Sequence, residues 1–446
     1  MKHFKIIRFA GLHYDSATLT LYKNNPELQF QSYENQLQTV FQHAFLYTDG
    51  FSRAMRSLGH EAYDIIYDLE ILQKTWAKEK GVFYDSDRWL YDIVLKQIEY
   101  LKPDIVYFQD IWSLPEAVRK ELKNRFAFIK LVVVYKGFLN IGENLADIDI
   151  LLTCIPSLVE KFRNAGLKSF LVYHGFDDAV LEKIFGGQIK KPQLIYDFTF
   201  VGSSGYGLLG YKGLSHQARY WTLYDLIQKT NLQLWIHEPE RDSLPIRIKM
   251  SARKKLKKSL EYFDPEKLEK LLGFKLFSEG CIAEKMHCLL LESIQDRKAP
   301  PEKSCLDGFL QGRLPKKALR KKFPERCHPP VLGIDMYRIL SQSKVTLNKH
   351  TDIAGDNVGN MRMFEATGVG CCLLTDTGKN LPNLFEKDRE VVTYTSIEEC
   401  IEKVCFLIEH DIVRREIAIA GQKRTLRDHT VMNRAIQINE ILQKRL

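Results

Sequence analysis

One stretch near the C-terminus limits what this chain can fold into more than any other. It runs Ile-Leu-Ser-Gln-Ser-Lys-Val-Thr-Leu-Asn-Lys-His from Ile339 to His350 and crosses a loop containing Gly355-Asp356-Asn357-Val358-Gly359-Asn360. It continues as Met361-Arg362-Met363-Phe364-Glu365-Ala366-Thr367-Gly368-Val369-Gly370 and closes with Cys371-Cys372-Leu373-Leu374-Thr375-Asp376. The pattern predicts strand, polar glycine-rich loop, short helix, strand. The apolar run Lys344 to Leu347 is short and enters a loop rich in Gly, Asp and Asn. The helix begins behind Asn360, a residue type suited to an N-cap, and stops at Gly368. A helix N-terminus behind such a loop offers backbone N–H groups and the positive end of a dipole to an anion, which suits a diphosphate. Gly359, Asn360, Met361 and Arg362 are the candidate residues there. Glu365, one turn on, is placed to accept hydrogen bonds from ribose hydroxyls. An ordinary buried strand–helix–strand unit has the same spacing, so spacing alone leaves both readings open.

Elsewhere the chain alternates short apolar runs with amphipathic ones. Strands are predicted at Phe4–Phe9, Ala62–Tyr67, Ile105–Phe108, Ile129–Val134, Ile148–Leu152 and Phe170–Tyr173. A long helix is predicted from Ser32 to Leu58, ending at Gly59, and another from about Arg88 to Leu101. Strands alternating with helices imply parallel βαβ units. A linker is expected at 186–193, followed by the strand and glycine loop Asp197-Phe198-Thr199-Phe200-Val201-Gly202-Ser203-Ser204. A helix from about His216 to Gln228 and a strand from Leu232 to Ile236 come next. At 446 residues, two domains are the natural expectation. With 45% hydrophobic residues the chain can bury a large core, yet no apolar run is long enough to span a membrane. The N-terminus reads as a first strand and not as a secretory signal, so a cytoplasmic protein is expected. Nine cysteines without framework spacing point to reduced thiols.

The segment from Arg362 to Asp376 resembles, nearly residue for residue, the C-terminal domain of bacterial nucleotide-sugar glycosyltransferases, closest to the spore-maturation-protein-like group. There the pattern is arginine, hydrophobic, Phe-Glu-Ala, small, Gly, x, Gly, four apolar residues, Thr-Asp. The resemblance continues through Val391-Val392-Thr393-Tyr394, Glu398-Glu399, Ala420-Gly421, Arg424, His429-Thr430 and Arg434. More weakly, Asp49-Gly50-Phe51, Leu58-Gly59-His60-Glu61, Lys102-Pro103-Asp104-Ile105-Val106, Thr153-Cys154-Ile155-Pro156-Ser157, Gly166 and His174-Gly175-Phe176-Asp177 are similar to the acceptor-side domain of the same family. The resemblance implies two doubly wound Rossmann-like domains facing across a cleft, the GT-B architecture. An N-terminal acceptor-side domain covers 1–185, and a C-terminal donor domain covers 194–420. The closing segment, 421–446 within a helix from about Ala418 to Leu446, packs back on the N-terminal domain. The implied activity is transfer of a sugar from a nucleotide-diphosphate sugar to a glycan, lipid-linked or protein acceptor, with no further cofactor and no metal. In retaining relatives a carboxylate that touches the sugar precedes the ribose glutamate by eight positions; here Asn357 stands at that place, which leaves the stereochemical outcome and the sugar open. A non-catalytic nucleotide-sugar or polyanion-binding protein that kept the fold is the alternative.

A second donor group follows strand Asp197–Val201. Gly202, Ser203, Gly205 and Gly207 allow close backbone approach, and Lys212 or Arg219 supplies charge to a diphosphate. Lys349 and His350 end a strand at the same cleft, and His350 is equally readable as a structural histidine. Neutralising a departing diphosphate in this way needs no bound metal. On the acceptor side, Asp110 follows strand Ile105–Phe108 and His13 follows the first strand, where α/β sheets place ligands. Asp110 is the preferred acceptor-facing carboxylate and His13 the second candidate.

Between 239 and 330 the chain leaves the family pattern, and a helical basic insert is expected. From Arg241 to Arg326 there are 22 Lys/Arg against 12 Asp/Glu, a surplus of +10, whereas the whole chain is +9. The clusters at 247–258 and 313–322 suit an anionic membrane surface or an acidic polymer, or else form a solvated excursion. A membrane contact of that kind would be peripheral, at the inner face. Sparse aromatic interleaving argues against specific nucleic-acid binding. Cys281, His287, Cys288, Cys305, Cys327 and His328 lack a paired Cys-x-x-Cys, so free thiols are expected there and not zinc.

Overall fold

Continuous apolar runs buried on both faces build two all-parallel sheets in this computed structural model, which describes residues 2–13, 15–137, 145–186, 193–206, 217–238, 315, 317–351 and 354–446. The first sheet contains β1 (Lys5–Ala10), β2 (Glu61–Ile66), β3 (Ile105–Phe108), β4 (Leu131–Tyr135), β5 (Ile150–Thr153) and β6 (Ser169–Leu171). Its spatial order is β2-β1-β3-β4-β5-β6. The second contains β7 (Tyr196–Ser203), β8 (Gln233–His237), β9 (Cys327–His328), β10 (Ser343–Asn348), β11 (Cys372–Asp376) and β12 (Val392–Tyr394). Its order is β12-β11-β10-β7-β8-β9. Strand β4, Leu-Val-Val-Val-Tyr, is buried at every position, as a central strand covered by helices on both faces must be. The result is two doubly wound Rossmann-like domains across a cleft, the GT-B arrangement.

Three expectations are corrected. The helix predicted over Ser32–Leu58 is two helices, Tyr33–His43 and Gly50–Ser57. The first ends where Ala44 turns left-handed, with φ 47°. Phe45, Leu46 and Tyr47 then fold onto a small core around Leu37 and Phe41. The apolar periodicity runs on through this break, so the sequence hides it.

The second correction concerns the stretch 239–330. Its end is no excursion: β9 pairs with β8, Leu234 opposite Cys327 and Trp235 opposite His328. Ala318, Leu319 and Cys327 lie in the domain core. Glu238, directly after β8 and buried, accepts from Leu319 N–H at 3.0 Å, Arg320 N–H at 2.9 Å and the Ser204 hydroxyl at 2.5 Å. That one carboxylate fixes both the glycine loop and the start of the short helix Leu319–Lys322. Lys322 lies 4.4 Å from the Tyr224 ring centroid. The cluster 247–258, Arg313 and Lys316 lie outside the described residues, as do Cys281, His287, Cys288 and Cys305.

The third concerns the C-terminus. The helix Asp411–Asp428 stays with the second sheet, and a separate helix, Val431–Gln443, begins behind Thr430, whose hydroxyl forms a capping box with Asn433. Ala435, Ile438 and Leu442 of this last helix join the first domain's core. The two passages of the chain between domains meet: Phe176 N–H donates to the His429 carbonyl at 2.8 Å and Val431 N–H to the Phe176 carbonyl at 2.9 Å. Gly175 sits in this stitch, where a Cβ would come within 2.8 Å of the Thr430 carbonyl oxygen.

Candidate functional site

In the second sheet the connections reverse direction between β7 and β10, where α/β sheets place ligands outside the carboxyl strand ends. Gly202 and Ser203 end β7; Lys349 and His350 follow β10. Arg219, on the helix Gln217–Lys229, spans the gap: its guanidinium donates to the Lys349 carbonyl at 2.8 and 3.2 Å and to the Ser203 carbonyl at 3.4 Å. Lys212 and Gly207 lie outside the described residues. The Lys349 ammonium is 2.8 Å from Asp376. His350 takes backbone N–H bonds at Nε2 from Gly359 at 3.1 Å and Asn360 at 3.4 Å. Nε2 is therefore an acceptor, and the ring proton sits on Nδ1, 2.6 Å from Asp376 Oδ1. Burial opposes the charge of Asp376, but the bond from His350 and the positive Lys349 outweigh it and hold the carboxyl well below its usual range. His350 is thus a buried scaffold residue that occupies two of the N–H groups ahead of the helix.

That helix is Met361–Gly368, as the sequence predicts. Asn360 is its N-cap residue, but its side chain does not cap it. The Asn360 and Asn348 amides bond each other in both directions, at 2.8 and 3.1 Å. Glu365 lines the cleft and is held by Arg362 at 2.7 Å. Met361 lines the cleft beside it. Gly359, at φ 131°, needs glycine: a Cβ there would be strained and would press on Tyr173, 3.1 Å away. At the rim, the Asn357 amide reaches Ser157 of the opposite domain at 3.4 Å. The Tyr173 hydroxyl accepts from Asn380 at 3.0 Å.

In the first sheet the connections reverse between β1 and β3, and there the structure brings His13 and Asp110 together at 3.3 Å. Asp110 also accepts from the Tyr67 hydroxyl at 2.6 Å and from Gly11 N–H at 3.1 Å. Burial and the adjacent Asp110 push the Tyr67 hydroxyl far above its ordinary value, so it stays a donor. Asp68 holds the backbone N–H of Leu12 at 2.9 Å and of His13 at 2.8 Å, fixing the loop in which exposed His13 adopts φ 54°.

Sequence reasoning assigned no role to several residues that line the cleft. Arg8 projects from the middle of apolar β1 to Asp64 at 2.5 Å. Asp177 binds Arg53 at 2.8 Å and the Thr48 hydroxyl at 2.5 Å. His174 and Arg434 meet at the stitch between domains. A charged residue inside an apolar strand was the visible signal for Arg8. The segments His174–Asp177 and His429–Arg434 carried the family resemblance without a function attached. Among the described residues no three His, Cys, Asp or Glu side chains converge as metal ligands, and no helix is long and apolar enough to cross a membrane.

Residues 310–440 match the family model described as glycosyl transferase-like. Curated proteins give no match. Among solved structures, Anabaena HepE in complex with UDP and glucose is 11% identical, with 99% of this chain and 100% of that chain covered at a TM-score of 0.49. Sucrose-phosphate synthase from Thermosynechococcus elongatus is 8% identical, with 99% of each covered at 0.49. UDP-GlcNAc 2-epimerase from Neisseria meningitidis, bound to UDP-GlcNAc, is 11% identical, with 99% and 100% covered at 0.42. Likenesses this remote have no bearing on activity.

Proposed function

We propose that the chain is a glycosyltransferase that moves a sugar from a nucleotide-diphosphate sugar to an acceptor. One observation carries the reading: the glycosyl transferase-like match falls on the half-domain whose helix Met361–Gly368 presents Glu365 to the cleft. In this reading Glu365, aligned by Arg362, holds the ribose. The diphosphate lies over the backbone of Gly202, Ser203 and Met361, beside Gly359 and Asn360 whose N–H groups His350 already takes, with Lys212 and Arg219 adding charge. Lys349 and His350 shape the site from beneath. Asn357 faces the sugar. On the acceptor side, Asp110 orients His13, which takes the proton of the acceptor hydroxyl.

No step in this scheme needs a metal, so EDTA is expected to leave transfer intact. Activity lost to EDTA and restored by manganese or magnesium would overturn that part. The acceptor is a glycan, a lipid-linked sugar or a protein. The clusters 247–258 and 313–322 suit peripheral contact with an anionic inner membrane face. The deciding experiment incubates the protein with a panel of nucleotide sugars and measures free nucleotide with and without acceptor. Release that rises with acceptor supports transfer. Binding without release would favour the alternative that Asn357 suggests, a nucleotide-sugar-binding protein without catalysis.

A further inference from the structure

Four residues that carry charge at neutral pH line the cleft: Arg8, Asp177, Glu365 and Arg434. Three are neutralised within the protein, by Asp64, Arg53 and Arg362 respectively. Arg434 has only neutral hydrogen-bond partners among the described residues, and Asp428 attracts it without pairing with it. Its Nε donates to the His174 carbonyl at 3.0 Å and its Nη1 to the Asp428 carbonyl at 3.3 Å. Its Nη2 lies 2.7 Å from His429 Nδ1. His429 Nε2 faces the Leu384 carbonyl at 2.9 Å, and a carbonyl only accepts, so Nε2 carries the proton and Nδ1 receives the arginine. Burial first, and the charges of Arg434 and Arg424 after it, hold His429 at about 4 against the pull of Leu384. His174 is likewise held at about 4 by burial and by Arg434. Neither ring adds a charge of its own near neutrality. The carboxylate of Asp428 is turned away, to Arg424 at 3.1 Å and Arg427 at 2.8 Å.

A guanidinium has five N–H groups, and three of these are engaged. Among the described residues the other two have no partner. A recessed cation without a counter-ion is costly, and an oxyanion bound through paired N–H···O bonds removes the cost. Tyr135 and Tyr173 line the same cleft, and burial pushes both hydroxyls up, so they remain protonated.

We propose that Arg434 forms an oxyanion subsite at the floor of the cleft, beside the junction of the two domains, that takes a phosphate group of a cleft ligand. The subsite rests on the charge balance of the cleft; its place in a transfer reaction rests on the proposed function. The phosphate has two sources, the diphosphate of the donor or a phosphate on the acceptor.

The test titrates the full chain with inorganic phosphate and with UDP at constant ionic strength, by calorimetry and by thermal shift. Wild type is expected to bind phosphate and gain thermal stability from it. Arg434→Gln should weaken that binding by about tenfold or more, and Arg434→Lys, which keeps the charge but not the fork, by less. If the donor diphosphate occupies the subsite, UDP displaces phosphate and Arg434→Gln weakens UDP as well. If an acceptor phosphate occupies it, phosphate binds the UDP-saturated protein and the UDP affinity of the variant is unchanged. Wild type without phosphate binding, or folded Arg434 variants that bind phosphate as wild type does, would overturn the subsite. Should Arg434→Gln fail to fold, Arg434→Lys and the wild-type titration still decide. None of these arms uses sugar transfer, so failure of the transferase reading is seen separately, as absent nucleotide release.

Discussion

The two sheets solve one problem in different strand orders. The second follows β9-β8-β7-β10-β11-β12, with the reversal of connections at its centre; the first follows β2-β1-β3-β4-β5-β6, with the reversal two strands from the edge. Each sets a half-buried carboxylate at a carboxyl strand end near that reversal: Asp110 just after β3, which flanks it, and Asp376 at the end of β11, one strand further out. Asp376 is spent on scaffold: it accepts from Lys349 and twice from His350, and through His350 it fixes the Gly359–Asn360 backbone. Asp110 accepts from Tyr67 and Gly11, and its third neighbour is the exposed ring of His13. Carboxylates at neighbouring strand ends of two similar folds thus differ in whether the polar cluster ends inside the protein or at the surface. Fold alone does not say which.

This contrast can be broken. Asp376→Ala leaves Lys349 without its partner and unseats His350, and should cost about 3–5 kcal/mol in urea denaturation. Asp110→Ala should cost about 1–3 kcal/mol. Equal costs would end the distinction between scaffold and exposed site. The acid limb adds a check. The folded-state value of Asp376 is depressed, so its contribution is complete above the unfolded carboxylate range of about 4 and is lost as pH falls through and below it. Asp376→Asn should therefore flatten the fall in stability below about pH 4.

Next in size, Glu365→Ala should weaken nucleotide binding by about 1.5–3 kcal/mol. Asp110→Asn should leave that affinity alone and lower turnover by about 100-fold or more. A nucleotide affinity that responds to Asp110 would erase the proposed division between a donor and an acceptor sheet. Gly175→Ala presses a methyl on the Thr430 carbonyl and should cost about 1–3 kcal/mol, read as a lowered urea midpoint. The smallest expected effect is none: reversing charge at Lys254, Lys255, Lys257 and Lys258 should leave nucleotide affinity unchanged while weakening retention on anionic vesicles. A collapse of nucleotide affinity would place that cluster in the diphosphate site.

The strands and the helix Met361–Gly368 were legible because their signals are local. Continuous apolar runs mark β3 and β4, and an asparagine before and a glycine after bound Met361–Gly368. What was hidden depends on contacts distant in sequence. The turn at Ala44 interrupts no apolar pattern, and the two residues of β9 become a strand only because β8 receives them, with Glu238 holding the short helix ahead of them. His350 could not be told from a ligand residue until Asp376, 26 positions away, was seen on its other nitrogen. The role of Arg434 is legible only in three dimensions, since its partner His174 lies 260 positions earlier.

The stitch of Phe176 against His429 and Val431 acts as a spine. Both strings of chain that join the halves leave through one short ladder, so any opening of the cleft would turn about that line, as a book opens about its spine. The loop that carries Asn357 to Ser157 starts close to that line, since Gly359 abuts Tyr173 and Asn380 donates to the Tyr173 hydroxyl. A ligand seated beside the spine would therefore press on the same few residues that join the halves, Tyr173 and Gly175 on one side and Thr430 on the other.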